Sequence, residues 1–107
     1  MIYIGKYREL SPKEKGYPYM KDNFEKGAYK NQGKIIWYLK HGIEDMCRMQ
    51  REKDVFTGES IPMETLGMND GEYTWWNTLA YYVEKYNLRL PKEFENKILN
   101  SNTTDQR

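Results

Sequence analysis

Apolar residues recur with a helical period in three stretches of the chain. In Asn31–His41, Ile35, Ile36 and Leu39 fall on one face. Asn31 is placed to cap this helix, His41 puts a positive charge in its last turn, and Gly42 supplies a left-handed stop. In Trp76–Tyr86, Leu79, Tyr82, Val83 and Tyr86 follow the i, i+3, i+4, i+7 spacing, and Asn87 ends the run. After Leu90-Pro91, Phe94 and Ile98 sit one turn apart, which predicts a last helix over 91–99 opened by Pro91. A shorter segment, Pro18–Lys26, sets Met20 one turn from Phe24 before Gly27. Ser11-Pro12-Lys13-Glu14 has the signature of a helix start, but Gly16 and Pro18 limit it to one turn.

Elsewhere the period is two. Leu66 and Met68 alternate with Gly67 and Asn69, and Tyr73 and Trp75 alternate after the Asn69-Asp70-Gly71 turn, so residues 64–76 predict a hairpin. Ile43–Lys53 alternates too, with Ile43, Asp45, Cys47, Met49 and Arg51 on one side. Neither side is cleanly apolar, as a poorly buried strand would have it. Residues 2–4 suit a short strand or an extended arm, and Phe56-Thr57-Gly58-Glu59 a turn. The fold class expected is α+β, with a small antiparallel sheet of two or three strands packed with three or four short helices. One domain over 1–100 is expected, followed by a polar, flexible tail over 101–107.

Composition refines this picture at three points. Only 38% of the residues are apolar, which alone would fit disorder, but ten Tyr, three Trp and three Phe favour a packed core. The net charge of +1 gives no global field for polyanions. Its distribution is uneven: residues 1–40 carry nine Lys/Arg and four Asp/Glu, +5 by difference, while 41–107 carry eight and twelve, −4. This asymmetry is either ordinary surface variation or a basic face for an acidic partner. Cys47 is the only cysteine, which excludes an intramolecular disulfide and suits a reducing compartment. The start, Met1-Ile2-Tyr3-Ile4-Gly5-Lys6, lacks the pattern of a signal peptide, and no run approaches the ~18 apolar residues of a membrane span, so a cytoplasmic location is expected.

The usual motifs of chemistry are missing. His41 and Cys47 are the only soft metal ligands, and structural zinc takes four, so both are better read as structural, Cys47 as a small buried residue. No glycine pair has the spacing of a phosphate loop, and nothing around Cys47 resembles a nucleophile turn. The carboxylate pairs Glu44/Asp45 and Asp70/Glu72 are expected by chance among sixteen acids, so an enzyme with carboxylate chemistry remains a second alternative. No cofactor is called for.

From Asp70 to Phe94 the chain resembles a family of small bacterial proteins of about this length. The resemblance is carried by Asp70-Gly71, Tyr73, Trp75, Leu79, Tyr81-Tyr82-Val83, Tyr86, Leu90-Pro91 and Phe94. Weaker agreement lies in Ile35–Gly42, in Asp54-Val55 and in Gly58-Glu59. Many members have Pro after the second aromatic, where this chain has Trp76. The resemblance implies a conventional folded domain and assigns no catalytic residue.

Protein binding is the function class these features favour, in the manner of an inhibitor or immunity protein that antagonises a toxin or other effector. Tyr and Trp are enriched among interface anchors. Candidate contact residues are Tyr17, Tyr19, Trp76 and Tyr81, with Lys13, Lys15 and Lys21 around them. The competing structural reading is that a neighbouring element covers these aromatics. The alternative function is nucleic-acid binding by the Tyr- and Lys-rich first forty residues, although four acids lie among them.

Overall fold

The computed structural model describes residues 1–48 and 51–101; the expectations for Met49, Gln50 and the tail over 102–107 lie outside the described residues. Strands β1 (Ile2–Tyr3), β2 (Ile43–Arg48), β3 (Thr65–Asn69) and β4 (Tyr73–Trp76) form one sheet in the order β1-β4-β3-β2. Helices α1 (Gln32–Lys40), α2 (Leu79–Tyr86) and α3 (Lys92–Leu99) pack with it, and residues 20–23 form a single 3-10 turn in place of the longer helix expected there. The fold is α+β. The sheet has four strands rather than two or three, and it is mixed, because β1 runs parallel to β4. That pairing is fixed by Ile2 N–H to Glu72 O (2.9 Å) and Ile4 N–H to Thr74 O (2.8 Å).

The hairpin follows from its turn. Gly71 sits at φ +93°, a conformation that costs glycine little, and Asp70 Oδ1 accepts the N–H groups of Glu72 (2.9 Å) and Tyr73 (2.7 Å). In β4, Tyr73 and Trp75 point to the helices. Trp75 packs at 5.3 Å from Phe94 and 5.8 Å from Tyr38, and its indole N–H donates to Leu39 O at 2.9 Å. The alternate positions of β3, Thr65, Gly67 and Asn69, share the other sheet face, where Asp45 accepts from Asn69 Nδ2 at 2.6 Å.

Four local expectations are corrected. Helix α2 begins at Leu79, not Trp76, because Trp76 still pairs with Gly67 in the sheet. Asn77 then mimics a further strand residue, its side chain accepting from Leu66 N–H (2.8 Å) and donating to Glu64 O (2.9 Å). Asn31 precedes α1 in a left-handed conformation (φ 67°) and makes no side-chain cap. Cys47 is exposed rather than buried, since β2 is an edge strand. Gly42 is not a left-handed stop; its role is close approach. A Cβ there would lie 2.9 Å from Cζ2 of Trp75 and 3.1 Å from the backbone oxygen of Asn69. Neither the sheet backbone nor a fully packed indole can give way cheaply. Gly42→Ala is therefore expected to cost about 1–3 kcal/mol by overpacking, read as a shift of the urea midpoint; an unchanged midpoint would refute the contact.

The segment 4–24 has little regular structure but is anchored. Ile4, Tyr7 and Met20 are buried, and the Glu9 carboxylate accepts the backbone N–H groups of Met20 and Lys21. Phe24 bridges to Leu88, with Arg89 N–H to Asn23 O at 2.8 Å beside it.

Candidate functional site

The anchored segment carries a basic, aromatic lobe. The Arg8 guanidinium lies 5.1 Å from the centroid of the Tyr19 ring and the Lys21 ammonium 5.3 Å from it, both within cation–π range. Arg8 Nη1 also donates to Lys15 O at 3.3 Å. Arg8 thus ties Tyr19 to the backbone of Lys15, and Lys21 shares the Tyr19 ring. Tyr19 is 41% exposed, Lys13 is exposed on the neighbouring turn, and Tyr17 is half-buried.

Beside the lobe lies a cleft of about 210 Å³, lined among others by Tyr3, Leu10, Ser11, Glu52, Trp76 and Tyr82. Leu10 is 37% exposed at its edge. Tyr82 is held in place by its hydroxyl, which accepts from Val55 N–H (3.1 Å) and approaches Lys53 O (3.4 Å). Burial pushes this phenol up to about 12, so it remains a neutral wall at physiological pH. Trp76 and the start of the lysine-bearing turn, Ser11, therefore meet in one cleft.

Tyr81 belongs elsewhere. It is half-buried, and its hydroxyl donates to Asp54 Oδ2 at 2.8 Å, where Tyr86 also donates at 2.6 Å. Asp54 Oδ1 accepts from the N–H groups of Phe56 (2.7 Å) and Thr57 (3.2 Å), and Lys85 Nζ lies 3.5 Å from Oδ2. Burial alone would raise the Asp54 pKa. The hydrogen bonds from Tyr86, Phe56, Tyr81 and Thr57 outweigh it and hold the carboxyl below its ordinary value. Asp70 is a second hub of this kind: Tyr38 donates to it at 2.6 Å and Lys97 lies at 3.2 Å. Burial opposes its charge as well, and the Tyr38 hydroxyl, two backbone N–H groups and Lys97 again lower the pKa. Both carboxylates spend their lone pairs on holding loops to helices.

His41 Nδ1 contacts Trp37 O at 2.8 Å, and its ring stacks on Trp37 with centroids 4.1 Å apart. Among the described residues no group of three or more His, Cys, Asp or Glu is placed to hold a metal ion, and no helix is long and apolar enough to cross a membrane. No family model, curated protein or solved structure matches the chain.

Proposed function

We propose that this chain is a protein-binding protein of the inhibitor or immunity type, acting by stoichiometric contact in the cytoplasm. The observation that supports it is the adjacency of the Trp76 cleft and the basic lobe. A 210 Å³ cleft walled by Tyr3, Leu10, Trp76 and Tyr82 has room for one side chain of a partner. Anchors seated in such desolvated pockets carry most of an interface's energy. Lys13, Lys15 and Lys21 are exposed, and their charge suits an acidic partner surface and would speed encounter.

Tyr19 with two cations at its ring also supports a second reading, binding of single-stranded nucleic acid by base stacking. Parallel capture with the parent chain and with Leu10→Asp as bait, followed by titration of the captured protein, separates the readings. Leu10 sits at the rim of the cleft, so the variant keeps the core. The expected result is 1:1 binding that Leu10→Asp and Trp76→Ala each weaken by roughly 30-fold or more. Charge reversal at the three lysines should slow association, with an effect that shrinks as salt rises. Retention of RNA or DNA through size exclusion with a steep salt dependence would replace this reading by the second. Turnover of a substrate at sub-stoichiometric concentration would end both.

A further inference from the structure

Among the described residues two buried side-chain polar atoms lack a hydrogen-bond partner, Thr65 Oγ1 and Arg8 Nε. Thr65 is sealed in β3 at 1% exposure. Arg8 is only half-buried, and it carries a charge. Its guanidinium carbon lies over the Tyr19 ring at 5.1 Å, and Nη1 donates to Lys15 O at 3.3 Å. Nη2 has no acceptor among the described residues either, and unlike Nε it is not buried. The edge formed by Nε and Nη2 is therefore empty, covered at one end and open at the other.

The chain supplies no counter-ion for it. Among the described residues Arg8 makes no ion pair, whereas Arg89 meets Glu25 at 3.4 Å and Glu95 at 2.8 Å. Glu9, the acid next to Arg8 in the chain, spends its two oxygens on the backbone N–H groups of Met20 and Lys21. The Lys21 ammonium on the same ring, 5.3 Å from its centroid, adds a second positive charge. A covered donor without an acceptor costs the fold free energy. A lysine could meet the Tyr19 ring and the Lys15 carbonyl without that cost. What only the guanidinium offers is two parallel N–H groups on one planar edge, which match the two oxygens of a carboxylate.

We infer that Arg8 receives a carboxylate of the partner, bound side-on by Nη2 and Nε as the 41% exposed Tyr19 ring gives way. This rests on the protein-binding reading and names the group that the partner presents. A lone carboxylate needs one such fork, whereas a nucleic-acid backbone would also have to pass Glu9, Glu14 and Asp22 in the same segment. The test is NMR of the full chain, read at the arginine Nε–H signals, with the Arg8 signal assigned by its loss in Arg8→Lys. The probes are acetyl-Gly-Glu-Glu-Glu-Gly-amide, the same peptide with lysines, and a thymidine pentanucleotide. The glutamate peptide is expected to move the Arg8 Nε–H and the Tyr19 ring signals together, with a Kd of about 1 mM or tighter, and the lysine peptide to move neither. Arg8→Lys keeps the charge but should weaken the glutamate peptide by roughly fivefold or more. Replacing Lys13, Lys15 and Lys21 together by Gln should weaken it less than that at about 150 mM salt. The inference is overturned if the Arg8 Nε–H does not move, if Arg8→Lys binds as well as the parent, or if the pentanucleotide binds more tightly than the peptide. A still Arg8 signal beside a 1:1 complex that Trp76→Ala weakens would overturn this inference alone. A moving Arg8 signal with no 1:1 complex would instead remove the reading on which it rests.

Discussion

Trp75→Ala is expected to lower the unfolding free energy by about 3–5 kcal/mol, the range for truncating a large buried aromatic. The side chain is 1% exposed and sits where α1, α3 and the sheet converge. Truncation would open a cavity between Phe94 and Tyr38 and strand Leu39 O, which now accepts the indole N–H at 2.9 Å. It would also remove the surface against which Gly42 is packed. For a domain of this size the loss corresponds to a melting point lower by roughly 10–25 °C. Trp75→Phe separates the two contributions, since it restores much of the ring volume but not the hydrogen bond. A Trp75→Ala chain that melts within a degree or two of the parent would show that this residue does not centre the core.

The same region was the most legible in the sequence, for a physical reason. The hairpin and α2 are specified locally, by a turn that needs positive φ at Gly71 and by apolar stripes that each bury one face. What was not legible depends on partners distant in sequence. Two residues of β1 carry no periodicity, and their parallel pairing with β4 rests on groups some seventy positions away. Gly42 has the composition of a helix stop, yet its need is steric and set by Trp75 and Asn69 across the sheet. Residue type alone places Cys47 inside, whereas strand order puts it on an edge.

The candidate site divides in the same way. The lysine and tyrosine cluster was visible as composition, but the residue that organises it, Arg8, gave no signal, because its role is to bridge Tyr19 and Lys15 in space. Tyr81 has the residue type of an interface anchor. Its partner is Asp54, which a sequence reading has no means to pair with a tyrosine 27 positions later.

Asp54→Ala is the other substitution expected to have a large effect, about 3–4 kcal/mol. It would leave four donors without their acceptor: the N–H groups of Phe56 and Thr57 and the hydroxyls of Tyr81 and Tyr86. The loop over 53–60 would lose its charged tie to α2, keeping the contacts of the Tyr82 hydroxyl with Lys53 and Val55, the packing of the Phe56 ring on Tyr82 and Tyr86, and the Lys85–Glu59 pair. Asp54→Asn keeps the shape and one acceptor oxygen, so it should cost less, about 1–2 kcal/mol. The pH dependence gives a sharper test. The folded-state pKa of Asp54 is lowered, so its stabilisation is fully present above the ordinary aspartate value of about 3.9 and is lost as pH falls through the folded value. Asp70 behaves alike and persists in the variant. Stability should therefore fall in acid for the parent and less steeply for Asp54→Ala, so the gap between them narrows from pH 7 to pH 3. Urea unfolding at pH 7, 5 and 3 measures that gap. A gap that stays constant across the three would mean that the charge on Asp54 does not hold the loop to the helix.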